Sequence, residues 1–511
     1  MLGETLSSII EACRPREGIL QGTFNPEVFT ASLSQVVAHY RGRRGRIDNL
    51  YTDADQFFRD GTAPTDGIKF VLREALLRLS GDNSAPAIYR LETAFGGGKT
   101  HTLIALTHLA IRGRELTEAA VPLIDETPLP SPGECNVAGI AGDELAVHRP
   151  QGPELVPYTL WGEIAFQIGG EALYKAIGED ATATAAPGST YFDTVFKGRK
   201  ALVLLDELAQ YAARLEAARP NGAEQLAAFL LALHGYARTH SGLVVVVTLA
   251  SQADAFARQT RRIVDLLSQV RGTPISEAEA EAIAQRAGHD TQSVVARDAT
   301  PVVPVQAAEL SHVLAKRLFA AVDPSAARAA AENYRELYAR SSAALPDEAA
   351  RPDFQGRIRS HYPFHPTFLQ FLNSKLSTVE TFQGTRGVLR LLALVVRNIW
   401  TKQQRVPMIH TAHVDLRDPR IVDEILGRTR SGELKTVLDT DVGGPDTGSL
   451  AIGRSRAEIA DGRNPHPAGF ALHELAWRTV FLHSLVGRAD WGPKSSASPN
   501  VTRCSKRPFP A

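Results

Sequence analysis

Three glycines followed by a lysine and a threonine, at residues 96–100, are the residues of this sequence best suited to bind phosphate. Bare glycine backbone lets N–H groups approach a polyphosphate closely, and the N-terminus of a following helix adds partial positive charge. We expect Gly96, Gly97 and Gly98 to contact the phosphates of a nucleotide and Lys99 to reach its β- and γ-phosphates. The Thr100 hydroxyl would then be a ligand of Mg²⁺.

The loop departs from the general phosphate-loop pattern at one position. That pattern has a glycine five residues before its last glycine, where this chain has Thr93. For this segment alone, a flexible turn before a helix with an incidental lysine is therefore the alternative.

Two carboxylates follow an apolar run that predicts a strand buried on both faces. Residues 200–207 read KALVLLDE, which puts Asp206 and Glu207 at the carboxyl end of that strand, where open α/β sheets bind ligands. We expect Asp206 to hold Mg²⁺, directly or through water, and Glu207 to accept a proton from the attacking water or to orient it. The alternative is an ordinary strand followed by a helix with an acidic first turn.

A third apolar run, residues 242–248, is rich in valine and ends in Thr248. In additional-strand ATPases, a polar residue at the end of this strand senses the γ-phosphate. Thr248 is our first candidate for that role and Ser251 the second. The alternative is that Thr248 only ends the strand.

The elements that must position these residues predict an α/β fold. Strands are expected at 87–92, 136–140, 201–205, 243–248 and 300–305, with helices between them at 100–112, 158–168, 223–239 and 253–269. Alternating strands and helices indicate a parallel, doubly wound sheet that helices flank on both faces.

The pattern also divides the chain into five segments. These are a mostly helical N-terminal segment (1–85), a nucleotide-binding core (86–305), an all-helical lid (306–405), a helical and loop segment (406–487) and a tail (488–511). The first segment contains amphipathic helical patterns at 29–40 and 68–79, and the fourth ends in an apolar helix at 470–486. The tail has few large apolar groups, so we expect it to be disordered.

Composition favours a soluble cytoplasmic protein. The 56 Lys and Arg equal the 56 Asp and Glu, so net charge gives no argument for nucleic-acid binding. The three cysteines are widely spaced and form neither a disulfide framework nor a zinc pattern, which suits a reducing compartment. The sequence has no basic-then-apolar leader and no apolar span of membrane length, so we expect no membrane association.

Several short segments together resemble one known family. They are ETAFGGGKTHT (92–102), TLWGEIA (159–165), LLDE (204–207), RLF (317–319), YPFHP (362–366) and FQGTRGVLR (382–390). This set is similar to a family of large bacterial and archaeal predicted ATPases of the AAA+ superfamily. Threonine is usual there at the position of Thr93, so the resemblance implies that Thr93 and His101, which share the motif, belong to the nucleotide site.

The resemblance also implies arginines that act on the nucleotide. In AAA+ ATPases a helical lid follows the sheet, and an arginine on it reaches over the bound nucleotide. Arg386 is the first candidate because it begins the helix, and Arg390 lies one turn later. Arg297, just before the last strand, occupies the place of a finger that acts on a neighbouring subunit's ATP. The alternative for each is an ordinary surface charge.

The resemblance implies a DNA-directed role. Members of the family are often encoded beside DNA methylases and helicases in phage-defence clusters similar to BREX systems. We therefore expect ATP and Mg²⁺ as ligands, methylase- or helicase-type protein partners, indirect contact with DNA, and self-assembly as a homo-oligomer. A nucleotide-binding scaffold with little hydrolysis is the second hypothesis, and a small-molecule kinase is the third.

The end of the chain departs from the family. Members are commonly longer, and the family-like sequence is expected to stop near Gly487. The sequence after it predicts a C-terminal truncation, which would leave part of the apolar helix 470–486 without cover.

Overall fold

A computed structural model of the 511-residue chain describes most of its length. The described residues are 7–24, 31–42, 49–93, 98–124, 127–151, 154–219, 221–250, 264, 267–268, 271–283, 285, 287, 299–306, 309–374, 376 and 385–485. They fall into two compact units. We call residues 30–309 the sheet unit, and residues 1–29 together with 310–511 the helical unit.

Five parallel strands form the centre of the sheet unit. In spatial order they are the edge strand (Cys135–Ala141), the acidic strand (Lys200–Asp206), the inserted strand (Leu243–Ala250), the glycine-loop strand (Ile88–Thr93) and the short strand (Thr300–Val302). All five lie where the sequence predicts strands, although the last one ends three residues early. The inserted strand separates the glycine-loop strand from the acidic strand, so their carboxyl ends share one edge of the sheet.

Both faces of this sheet are covered by helices. Alternate residues of the acidic strand point to opposite faces, so that Leu202 and Leu204 enter one hydrophobic core while Val203 and Leu205 enter another. All four side chains are fully buried. This two-sided burial explains why the strand is continuously apolar in sequence, and it confirms the predicted α/β fold with a parallel sheet flanked by helices.

Five helices of the sheet unit lie where the sequence predicts them, and five more that it does not predict accompany them. The described α-helices are Leu33–Tyr40, Asn49–Thr52, Ala54–Gln56, Asp66–Ser80, Lys99–Arg112, Thr117–Ile124, Leu160–Ala176, Ser189–Phe196, Leu208–Ala218 and Gly222–Thr239. Non-helical backbone at Gly169 and Gly170 breaks the seventh of them. Most of the helix predicted at 253–269 lies outside the described residues.

An antiparallel hairpin, which the sequence does not predict, follows the edge strand. His148–Gln151 pairs with Glu154–Pro157 before the helix Leu160–Ala176 begins. Each of the two strands contains a proline, Pro150 or Pro157, which hides the strand pattern because proline lowers the strand propensity of a segment.

The helical unit is built around the helix Thr385–Thr401, whose apolar residues from Val388 to Ile399 are buried except for the partly buried Leu394. Its other described α-helices are Ile9–Ala12, Glu17–Gln21, Leu310–Leu318, Pro324–Arg340, Pro352–His361, Pro366–Ser374, Pro419–Thr429, Lys435–Val437, Arg456–Arg463 and Leu472–Ser484.

One expectation for this unit is wrong. Residues 306–405 are not all helical, because Phe319–Val322 is a strand that pairs antiparallel with Cys13–Pro15. Its partner is about three hundred residues earlier in the chain, beyond the reach of a local pattern. Among the described helices of either unit, none is both long and apolar enough to span a bilayer.

Candidate functional site

The carboxyl edge of the parallel sheet brings together polar residues from three separate strand ends. Thr100, in the first turn of the helix Lys99–Arg112, donates a hydrogen bond to Oδ2 of Asp206, with 2.6 Å between the oxygens. Thr248, near the end of the inserted strand, donates to the other carboxylate oxygen over 2.7 Å. Three residues chosen from separate sequence motifs therefore form one hydrogen-bonded group.

Asp206 is the centre of this group and is buried, with 4% of its surface exposed. Burial raises the pKa of its carboxyl, while the hydroxyls of Thr100 and Thr248 and the charge of Lys99 act against that shift. The acidic strand carries Asp206 to the sheet edge in a continuous ladder with the edge strand, up to the pair Ala141–Asp206. The carboxylate is thus held rigidly on two sides.

Glu207 leaves the strand in an unusual backbone conformation. Its φ is +49°, in the left-handed region that residues other than glycine rarely occupy, and the helix Leu208–Ala218 begins directly after it. Its N–H donates to Oδ1 of Asp206 over 3.2 Å and to Oγ1 of Thr248 over 3.1 Å. These bonds hold a strained turn that changes strand into helix within one residue.

The Glu207 side chain is half-buried, and its pKa is raised by burial and by the neighbouring charge of Asp206. Lys99 opposes the shift, as does Gln210, whose amide donates to Oε2 of Glu207 over 3.2 Å. A carboxylate with raised proton affinity is suited to accept a proton. Sequence analysis missed Gln210; its position one helical turn after Glu207 is the signal that identifies it.

The described part of the glycine loop is its last residue. Gly98 has a φ of +84° and lies at the N-terminus of the helix Lys99–Arg112, where a helix directs its first N–H groups outward. A Cβ at this position would lie 3.3 Å from Cγ2 of Val305, so the backbone conformation rather than space favours glycine. Gly96 and Gly97 lie outside the described residues, and for Thr93 only the strand backbone is described.

The His101 side chain lies away from this edge. Its imidazole stacks on Phe57 at 4.3 Å between ring centroids, and its Nε2 is 2.9 Å from Oγ1 of Thr62. The ring is therefore part of the packed interior, and the backbone N–H is the part of His101 that remains near the helix N-terminus.

The predicted arginines are not brought to this group by any described contact. Arg297 and Ser251 lie outside the described residues. Arg386 lies in the first turn of the helix Thr385–Thr401 in the helical unit, where its backbone alone is described. Arg390, on the same helix, forms an ion pair with Glu424 at 3.4 Å.

Comparisons with known proteins find two related domains in this chain. Residues 13–126 and 147–271 match the DUF499 N-terminal domain, and residues 306–500 match the DUF499 second domain. The second match continues beyond Gly487, where the family-like sequence was expected to stop. Neither the curated proteins nor the solved structures contain a match.

Proposed function

We propose, from the premise that this chain belongs to the DUF499 family, that it binds ATP with Mg²⁺ at the sheet edge and hydrolyses it. The observation that carries the proposal is the contact of Thr100, Asp206 and Thr248, three side chains from separate segments. An additional-strand ATPase is expected to have three such parts. They are a hydroxyl beside the loop lysine, a carboxylate at the end of the next-but-one strand, and a polar residue on the strand between them.

The oxygen donors fit magnesium better than a transition metal. No group of three His, Cys, Asp or Glu side chains that could hold a metal occurs among the described residues. Magnesium needs no such group, since it keeps several waters and binds one or two protein oxygens together with the phosphates of its nucleotide. Thr100 and Asp206 would supply those oxygens.

Their present separation also indicates what binding would change. The Thr100 and Asp206 oxygens are 2.6 Å apart, with the hydroxyl proton between them, and both would be close enough to share one ion. Either the two oxygens move apart to bind the ion, or Asp206 contacts it through a water. In the second alternative the Thr100 hydroxyl would bind the ion through its oxygen and keep donating its proton to Asp206.

In the proposed reaction, Glu207 takes the proton of the attacking water. The water oxygen bonds to the γ-phosphorus as the bond from that phosphorus to the bridging oxygen breaks, and ADP and phosphate leave. Glu207 can accept this proton because burial and the charge of Asp206 raise its proton affinity. Two adjacent carboxylates favour transfer of the γ-phosphoryl group to water over transfer to a metabolite, which argues against a kinase.

A nucleotide-binding scaffold with little hydrolysis is the second candidate. The hydrogen bond from the Gln210 amide to Oε2 of Glu207 supports it, because the base is then held by its own helix. Steady-state ATP hydrolysis, measured with and without DNA, separates the two functions. Stimulation by DNA would also support the DNA-directed role that the family resemblance implies.

Nucleotide binding itself is tested by Lys99→Ala. Charge-assisted hydrogen bonds to phosphate contribute about 1.5–3 kcal/mol each, so ATP affinity measured by calorimetry should fall at least about tenfold. Lys175→Ala is the control, since Lys175 lies on the exposed end of another helix, paired with Glu171. Equal affinities in both variants would refute the phosphate site.

A further inference from the structure

A turn after the edge strand packs directly against the backbone of the two carboxylates. The N–H of Gly142 donates to the carbonyl of Asp206 over 2.7 Å, which continues the parallel ladder one residue past the strand. A Cβ at position 142 would lie 2.5 Å from the carbonyl oxygen of Glu207, so no other residue fits without movement of that peptide. A movement of this turn would therefore also move the backbone carbonyls of Asp206 and Glu207.

The other side of Gly142 is held by a buried arginine. Arg214 lies on the helix Leu208–Ala218, is 9% exposed, and donates through Nη2 to the Gly142 carbonyl. Burial lowers the pKa of its guanidinium, and the charge of Asp143 partly opposes the shift. Its Nε is buried with no hydrogen-bond partner among the described residues.

A buried charge with so few partners is a poor stabiliser of a helix. Replacing a buried ionic group by an apolar side chain of similar volume is often neutral or stabilising. By contrast, Arg78, which is 3% exposed, donates to backbone carbonyls that include those of Asn83, Ala237 and His240. The bond from Arg214 to Gly142 therefore needs a reason other than helix stability.

The contacts form a closed circuit that begins and ends at Glu207. The helix that starts after Glu207 carries Arg214, Arg214 holds the Gly142 carbonyl, and the Gly142 N–H holds the Asp206 carbonyl. We infer that Arg214 is a positioning residue for ATP hydrolysis. Its hydrogen bond to Gly142 holds that residue against the Glu207 backbone, and this contact keeps the strained Glu207 turn in place. The inference rests on the proposed function and assigns Arg214 no contact with nucleotide.

This role predicts a selective kinetic defect. Displacement of a catalytic group by about 1 Å can cost on the order of 10²-fold in rate, so loss of the circuit should lower kcat. Nucleotide affinity should change little, because Lys99 and Thr100 lie on another helix that has no described hydrogen bond to Arg214.

Arg219, the residue directly after the same helix, provides a control. It is half-buried and also donates to backbone carbonyls, those of Val147 and Tyr158 at 2.6 and 3.4 Å. It thus resembles Arg214 in charge and in partner type, although it is less buried, and it holds the base of the hairpin instead of Gly142.

The experiment compares Arg214→Met, Arg214→Lys and Arg219→Met with the wild type in kcat, KM for ATP, ATP affinity and melting temperature. We expect kcat of Arg214→Met to fall at least about tenfold with KM and affinity almost unchanged. Arg214→Lys should keep part of the rate, because lysine can also donate to the Gly142 carbonyl. Arg219→Met should keep nearly the wild-type rate. Equal kcat in the two methionine variants, or parallel losses of rate and affinity, would overturn the inference.

Gly142→Ala disrupts the packing of position 142 against the Glu207 backbone without removing a charge. It should reproduce the defect in kcat, and the double variant with Arg214→Met should lose no more rate than the worse single variant, because both changes break one circuit. Additive losses would overturn the role of Arg214 even if Arg214→Met itself folds poorly. If the wild type neither binds nor hydrolyses ATP, the proposed function itself is wrong. If the wild type does both and only the variants behave differently from expectation, the role of Arg214 alone is wrong.

Discussion

Both oxygens of the Asp206 carboxylate already accept hydrogen bonds from threonine hydroxyls. A buried carboxylate needs such partners, because an ion removed from water without them is costly. The same two bonds orient the carboxylate, so that its Oδ2 faces the helix that starts at Lys99. At the scale of single residues, the position of this carboxylate is therefore fixed by the protein's own hydroxyls.

Glu207→Gln separates binding from hydrolysis. Glutamine keeps the shape of the side chain but cannot accept a proton, so ATP binding with Mg²⁺ should persist while turnover falls by about 10²–10⁴-fold, the usual contribution of a general base. Calorimetry and steady-state phosphate release measure the two quantities. Gln210→Ala is the comparison, since it keeps the base and removes only its hydrogen-bond partner. Wild-type turnover in Glu207→Gln would show that another group is the base.

At the scale of elements, the inserted strand decides the composition of the site. It pairs on one side with the glycine-loop strand and on the other with the acidic strand, so Thr248 reaches the carboxylate from between them. Without this strand, Glu207 would lose one acceptor for its N–H and Asp206 one donor. The strand supplies a polar contact in addition to apolar packing.

The first turn of the helix Thr385–Thr401 carries the predicted lid arginine. Arg386→Ala should slow ATP turnover at least about tenfold, because an arginine that stabilises transition-state charge can contribute as much as about 10³–10⁵ in rate. The melting temperature should not change, because the proposed role is catalytic and not structural. Arg390→Ala is the control, since the half-exposed side chain of Arg390 pairs with Glu424, and exposed ion pairs contribute little to stability. If only Arg390→Ala slows turnover, the role belongs to Arg390.

At the scale of the whole molecule, three histidines with lowered pKa values link stability to pH. Burial lowers the pKa of His108 to about 3, and that of His361 and His413 to about 4. In the unfolded chain each takes up a proton below about pH 6.5. Between pH 6.5 and 4 the unfolded state therefore binds more protons, and stability falls as pH falls.

The urea midpoint should accordingly decrease between pH 7 and pH 5. Each of these histidines contributes up to about 1.4 kcal/mol per pH unit within its window. His413→Gln keeps an acceptor for the His410 N–H, which donates to Nδ1 of His413 over 3.0 Å, but removes one titrating group. Its midpoint should depend less steeply on pH, and an unchanged dependence would refute the assignment to His413.

The last described helix, Leu472–Ser484, exposes the apolar surface that its sequence predicts. Phe470, Trp477 and Val480 are 44%, 39% and 44% exposed, and the helix spacing puts the last two on one face. Exposed apolar clusters of this kind promote association. Size-exclusion chromatography with light scattering should show self-association that weakens in Trp477→Ser/Val480→Ser. A monomeric wild type would contradict this prediction.

Deletion of residues 488–511 should leave ATP binding unchanged.

The sequence by itself determined the strands and the residues at their carboxyl ends. A strand buried on two faces must be apolar throughout, so the acidic strand and the inserted strand are recognisable from composition alone. The polar residues that follow them, Asp206, Glu207 and Thr248, then lie at one edge for any parallel arrangement. These inferences succeed because each depends on neighbouring residues in the chain.

Only the tertiary structure decided which of those residues touch. Strand order joins Thr100, Asp206 and Thr248, and packing turns the His101 ring into the interior although its motif suggested the nucleotide site. The coupling of Gly142 to Glu207 and the pairing of Cys13–Pro15 with Phe319–Val322 likewise join distant segments. Local periodicity carries no information about such partners, because they are selected by the packing of whole elements.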